Sequence, residues 1–233
     1  MSSPGPQPAG RSFPAAPDTS GAPPTIVVAT GNAHKVTEIA AALGAAPASP
    51  LAGFHFASIH ELCPDFTDPV EDGATFEENA AIKARAAQAA TGLPALADDS
   101  GLTVEALDGA PGIYSARYSG VAHDDAANNA KLLAALDQVP AEQRRARFVS
   151  CLVLTGLDAL LPGCPAYLSV TGFCEGCIAT GLQGENGFGY DPLFLPDAAC
   201  GRSMAQLSLA EKTAISHRGA ALCKLLETLQ SLT

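Results

Sequence analysis

The sequence contains no tryptophan, and aromatic residues make up only 6% of it, so any packed core must be aliphatic. Positive charge is also scarce: 13 Lys and Arg stand against 24 Asp and Glu, a formal net charge of -11. A general nucleic-acid binder would carry a basic stripe, so nucleic acid is not an expected partner. No run approaches the roughly 18 consecutive apolar residues that a membrane helix needs; the chain reads as soluble, with no membrane partner. A secretory signal's hydrophobic segment is missing, and one arginine in the first stretch, Arg11, is too little for an organelle transit peptide. The phosphate loop ending in Lys-Ser/Thr and the three-glycine dinucleotide fingerprint are both absent. No internal repeat is visible.

What is present is enough for one domain. The 233 residues are 47% apolar, which supports a single globular domain, or a large domain with a small lobe. Residues 1–24 are rich in Pro, Ala, Gly and Ser and read as a flexible tail ahead of a domain spanning 25–233. Seven cysteines, an odd number, suggest reduced thiols and a cytoplasmic protein rather than a disulfide framework. Cys174-Glu-Gly-Cys177 has the spacing of a zinc half-site or redox pair, yet no second pair accompanies it. It reads equally as two strand or hairpin cysteines.

Strand-like and helix-like segments alternate. After an apolar run at Thr25–Ala29, Val36, Ile39, Ala40 and Leu43 fall on one helical face that ends near Gly44. Thr75-Phe-Glu-Glu78 is a capping box that predicts a helix to about Ala90. A short strand from Leu93 to Ala97 is expected to deliver Asp98-Asp99-Ser100-Gly101 in a turn. Further helices are expected over Asp124–Leu136 and Ser208–Leu229, and hairpin-joined strands over Arg147–Thr155 and Ala166–Phe173. The pattern predicts an α/β protein with a mixed central sheet flanked by helices.

Two segments carry chemistry. Thr30-Gly31-Asn32, between a strand and a helix with Lys35 near its start, would aim backbone N–H groups and a partial positive charge at one point, which suits an anion. By itself this is also a strand-to-helix turn with a solvated lysine. Lys35, Lys83, Arg117, Lys212 and Arg218 lie in motif-like segments and come first as cations for an anionic ligand. Adjacent Asp98 and Asp99 at the end of a buried strand are costly unless paired, hydrogen-bonded or bound to a cation. Mg²⁺ takes one or two carboxylates and completes its shell with water and phosphate. Successive strand side chains alternate, so only one of the two aspartates should face such an ion. Glu71 is a candidate second carboxylate, or a solvated loop charge. Likewise Phe188 and Tyr190 read as core residues at a Gly-rich turn, and His217-Arg218 as a helix surface, unless other motifs join them.

The ordered segments ATGNAHKVTEI (29–39), TFEENAAIKA (75–84), ADDSGLTVEALDGAPGIYSARYSG (97–120), GFGYDPLF (187–194) and SHRGAAL (216–222) resemble the Ham1-type family of inosine/xanthosine triphosphate pyrophosphatases. The resemblance implies an elongated α/β fold with the nucleotide in a cleft between two lobes. It implies hydrolysis of ITP, dITP and XTP to the monophosphate and pyrophosphate, with Mg²⁺, by a homodimer. Carried over by residue, Thr30, Gly31, Asn32, Ala33, His34 and Lys35 would hold triphosphate. Glu71 and Asp99 would bind the metal, with Asp99 also accepting a proton. Ser100, Phe188, Gly189, Tyr190, Asp191, Lys212, His217 and Arg218 would contact the nucleotide. Glu105 departs from the aspartate common there, and residues 156–180 match little. A Maf-type pyrophosphatase acting on pyrimidine or modified nucleotides, and a non-catalytic nucleotide sensor, are the rival readings.

Overall fold

A computed structural model of the chain describes residues 23–31, 33–44 and 49–232. Asn32 and all but the last two residues of the expected tail lie outside the described residues, and so do the side chains of Ala33 and His34. Six strands form one mixed sheet in the order β2-β1-β3-β4-β5-β6. β1 (Thr25–Val28) runs parallel to β2 (His55–Ser58) and to β3 (Ala95–Val104). β4 (Arg145–Thr155), β5 (Tyr167–Ile178) and β6 (Phe194–Pro196) continue antiparallel.

Helices cover both faces, as the alternating pattern predicted. α1 (Ala33–Gly44) buries Ile39 and Leu43 against Ile26, Val28 and Leu96, and α6 (His217–Leu232) adds Leu222, Leu225 and Leu229 to that face. On the other face α3 (Phe76–Thr91) lays Ala80, Ala84 and Ala87 on Val27, Ala95, Ala97 and Val153. The small side chains let this helix approach the sheet closely. A third cluster joins α4 (Asp125–Ala135) to the far half of the sheet through Leu132, Phe148 and Phe194. α1 leaves β1 toward one face, while the β2-to-β3 crossover uses α3 on the other. Such a switch opens a crevice beyond the carboxyl end of β1, the usual ligand position in open α/β sheets.

Several expectations need correction. The Asp98-Asp99-Ser100-Gly101 segment is not a turn: β3 runs straight through it, paired with β4 from Ala95↔Thr155 to Val104↔Ala146. The carboxylates are tolerated mid-strand because each meets a cation, as described below. Nor is the C-terminal helix continuous. α5 (Leu209–Ile215) ends at Ser216, whose extended backbone and side chain restart the chain as α6, with Ser216 Oγ accepting from Gly219 N at 3.0 Å. Glycine is required there, since a Cβ on residue 219 would lie 2.4 Å from Thr213 O. The capping box is half formed: Thr75 Oγ1 accepts from Glu78 N at 3.1 Å, but Glu78 reaches past Thr75 to Ala74 N at 2.6 Å. β5 extends to Ile178 and takes in both Cys174 and Cys177. Three residues apart on a strand, they point to opposite faces roughly 10 Å apart, too far for one bridge or one ion. All seven cysteines are free thiols.

Candidate active site

The crevice begins where β1 stops. β1 meets β3 only at Ala95 and Leu96, so Asp98 and Asp99 lie just beyond its end, beside the Thr30-Gly31 turn. Ser58 Oγ donates to Thr30 O at 2.8 Å and ties that turn to the end of β2. The first turn of α1 then brings Lys35 back over β3.

Alternation along β3 sends the two aspartates to opposite faces, as expected for an extended segment. Asp98 faces α1 and α6. Its Oδ2 accepts from Arg218 Nε at 3.2 Å and Nη2 at 3.0 Å, and lies 3.0 Å from Lys35 Nζ. Its Oδ1 accepts from Ser150 Oγ at 2.8 Å, while Ser100 Oγ sits 3.5 Å from Oδ2. Burial alone would raise this carboxyl's pKa, but Lys35 and Arg218 outweigh it and hold Asp98 well below the usual carboxylate range. Arg218 Nη1 also donates to Glu38 Oε2 on α1 at 3.0 Å.

Asp99 faces α3. Its Oδ1 accepts from Lys83 Nζ at 2.7 Å, and Glu71 Oε2 lies 3.3 Å from the same ammonium. Burial pushes the Asp99 pKa up and the negative charges of Glu71 and Asp98 add to it, with Lys83 opposing. Neighbouring residues thus take opposite electrostatic roles, a fixed anion and a carboxylate able to take a proton. Among the described residues there is no cluster of three or more His, Cys, Asp or Glu arranged for a metal. Two carboxylates converging on one cation, with the remaining shell left to water and phosphate, are nevertheless a donor set that fits Mg²⁺.

On the Asp98 side a cleft of about 850 Å³ is lined by α1, α5, α6 and the 186–188 loop, including Glu38, Phe188, Lys212 and Arg218. Phe188 is 56% exposed, with Lys212 Nζ 4.6 Å from its ring centroid. Gly187 and Gly189 flank it at φ +84° and +61°, backbone that glycine adopts without strain. Asp191 is buried, accepts from Phe188 N at 3.0 Å and pairs with Lys212. Gly189 N donates to Asp125 at 2.6 Å, and its carbonyl accepts from Asn129 at 2.8 Å. Tyr190 is apart from the cleft: it is 4% exposed, in the core, its hydroxyl donating to Ser115 O at 2.9 Å. His217 stacks flat on Phe148, with ring centroids 4.9 Å apart. Burial, reinforced by Arg218, lowers its pKa to about 3, so the ring is neutral at pH 7.

The Ham1 family profile matches residues 26–228. The chain belongs to the Ham1 family. It is 48% identical over 207 residues to the dITP/XTP pyrophosphatase of Mycolicibacterium paratuberculosis, covering 89% of this chain and 96% of that protein. The corresponding protein of Geobacter sulfurreducens is 50% identical, with 86% and 94% covered. Among solved structures, the Staphylococcus aureus Ham1 protein aligns with TM-score 0.77 at 41% identity, over 90% of this chain and all of the other. The Mycobacterium abscessus dITP/XTP pyrophosphatase aligns at 0.69 and 43%, over 87% and 98%.

Within this Ham1 chain the structure brings Lys35, Ser100, Arg218, and through Arg218 the Glu38 carboxylate, to one face of β3. Asp99, Glu71 and Lys83 meet on the other, and Phe188, Asp191 and Lys212 form a third group at the cleft. Sequence reasoning counted Lys83 among the cations for an anionic ligand but did not join it to Asp99 and Glu71, and it passed over Glu38 and Ser150. Glu38 falls one turn after Lys35 on α1, a helical spacing that the motif reading left unused. Ser150 sits in an apolar strand, and only the sheet register sets it beside Asp98.

Proposed function

We propose that this chain hydrolyses deaminated purine nucleoside triphosphates, dITP, ITP and XTP, to the monophosphate and pyrophosphate, with Mg²⁺, as a cytoplasmic homodimer that clears them from the nucleotide pool. The observation that carries this reading is the split at Asp98-Asp99, in a chain whose relatives are named dITP/XTP pyrophosphatases. One aspartate anchors Lys35 and Arg218; the other shares Lys83 with Glu71.

Glu71 and Asp99 would hold the metal, which when bound neutralises phosphate charge and lowers the pKa of water. The raised pKa of Asp99 suits it to accept the proton of the attacking water. Lys35 and Lys83, from α1 and α3, stabilise charge on the phosphates, and the N–H groups at the start of α1 add the helix N-terminus.

At the other end, Phe188 offers a ring face to the purine, and Arg218 supplies donors. Among the described residues three of its N–H groups are engaged by Asp98 and Glu38, out of five. A donor fits the 6-oxo group of hypoxanthine or xanthine and opposes the 6-amino group of adenine. The SHR (216–218) and GFGYD (187–191) segments argue against the pyrimidine-directed alternative, and the proton-accepting Asp99 argues against a sensor without turnover.

The deciding assay is pyrophosphate release from dITP, ITP, XTP and the four standard triphosphates, with and without Mg²⁺. Release from the deaminated purines alone, at kcat/KM roughly 10²-fold or more above ATP, is expected. Binding without release would leave the sensor reading standing.

A further inference from the structure

His60 lies at the crevice although no motif contains it. It belongs to the short α2 (Ile59–Leu62), whose N-cap Ser58 accepts from His60 N at 3.3 Å and donates to Thr30 O at 2.8 Å. One serine therefore fixes His60 against the anion turn. A Cβ placed on Gly31 would lie 3.4 Å from His60 Cδ2 and 3.5 Å from Nε2, so the edge of the ring bearing Nε2 abuts the glycine. Phe66 braces the ring from the side, edge-on at 5.9 Å. Asp68 Oδ1 is 3.7 Å from Nε2, beyond hydrogen-bond reach, and it precedes Glu71 in the same loop. His60 thus stands between the turn that receives an anion and the loop that carries a proposed metal ligand.

Helix α1 fixes which part of the substrate meets this ring. Glu38 lines the cleft with Arg218, Lys35 is one turn earlier, and Gly31 lies beyond the helix start. Five residues at 1.5 Å rise set the start of α1 at Ala33 roughly 7.5 Å from Glu38, and Gly31 lies further still from the base end, in the direction in which a triphosphate extends from its purine and ribose. Resting on the function proposed above, we propose that His60 contacts the pyrophosphate portion of the substrate, with Nε2–H donating to a phosphate oxygen seated against Gly31.

The test is calorimetric binding of inorganic pyrophosphate and, separately, of IMP to the full chain with Mg²⁺, for the parent, His60→Ala and His60→Gln. A hydrogen bond to a charged group supports a loss of roughly 10-fold or more in pyrophosphate affinity for His60→Ala, with IMP affinity within about 2-fold, partial recovery in His60→Gln, whose amide can still donate, and a parallel rise in KM for dITP. Unchanged pyrophosphate affinity, or equal losses for pyrophosphate and IMP with intact thermal melting, would overturn the assignment. Failure of the parent to release pyrophosphate from any deaminated purine triphosphate is a separate outcome, and sinks the proposed function instead.

Discussion

Asp98 and Asp99 are adjacent and chemically identical, and their surroundings make them different reagents. Asp98 is the hub of a buried ionic network, with Lys35, Arg218 and Ser150 on it. Removing its charge leaves two cations facing each other over an amide. Asp98→Asn should therefore destabilise the fold by about 3 kcal/mol, read as a lower urea midpoint. Asp99→Asn removes a charge that burial already disfavours, so the fold should survive while kcat falls by at least about 10²-fold. The pair of measurements is decisive in both directions: an Asp99→Asn enzyme with parental turnover would remove that residue from catalysis, and a fully stable Asp98→Asn would remove the hub. The same network bears on selectivity, because truncating Arg218 to alanine would strip Asp98 of one of its two cations; Arg218→Lys is the cleaner probe of base reading.

At the scale of elements, the site depends on how closely α6 lies on the sheet. Gly172 on β5 is the contact: a Cβ there would meet Ala221 N at 2.2 Å and His217 O at 2.3 Å. Any side chain must push out the turn that carries His217 and Arg218. Overpacking of this kind costs about 1 to 3 kcal/mol, so Gly172→Ala should lower Tm by roughly 2 to 12 °C and reduce kcat/KM as Arg218 is drawn from Asp98. Gly181→Ala is the control, since nothing lies within 4 Å of its Cβ position. A Gly172→Ala protein that melts like this control would show that α6 tolerates the shift. The break at Ser216 works in the same direction, turning the chain so that α5 presents Lys212 and α6 presents Arg218 to one cleft.

For the whole molecule the buried ionisable groups set an acid limit. His217 is held neutral in the folded protein down to about pH 3 and takes a proton near pH 6.5 when unfolded. The unfolded state therefore binds more protons in that window, and stability falls as pH drops through it. The slope from one such group approaches about 1.4 kcal/mol per pH unit. Asp98 acts lower still: its contribution is complete above the unfolded carboxylate value and is lost as pH falls toward its own depressed pKa. Chemical denaturation at pH 7, 6, 5 and 4 should show declining stability, with the slope between pH 6 and 5 reduced in His217→Gln. An identical slope in the two proteins would mean that the imidazole charges freely in the folded state.

The sequence by itself determined the elements and the family. Periodicity gave α1, Thr75 marked the start of α3, and five ordered motifs identified the chain, because these signals are local and survive without coordinates. Alternation along an extended segment was enough to separate Asp98 from Asp99. What only the tertiary structure decided is which residue meets which. Continuous pairing with β4 kept the Asp98-Asp99-Ser100-Gly101 segment in a strand, where composition alone suggested a turn, and long-range contacts with Lys35, Lys83, Ser150 and Arg218 made that strand tolerable. Tyr190 went to the core and Phe188 to the cleft although both lie in one motif, since burial is settled by packing partners distant in sequence. His60 carried no sequence signal, and only the fold of β1 beside β2 sets its ring against Gly31.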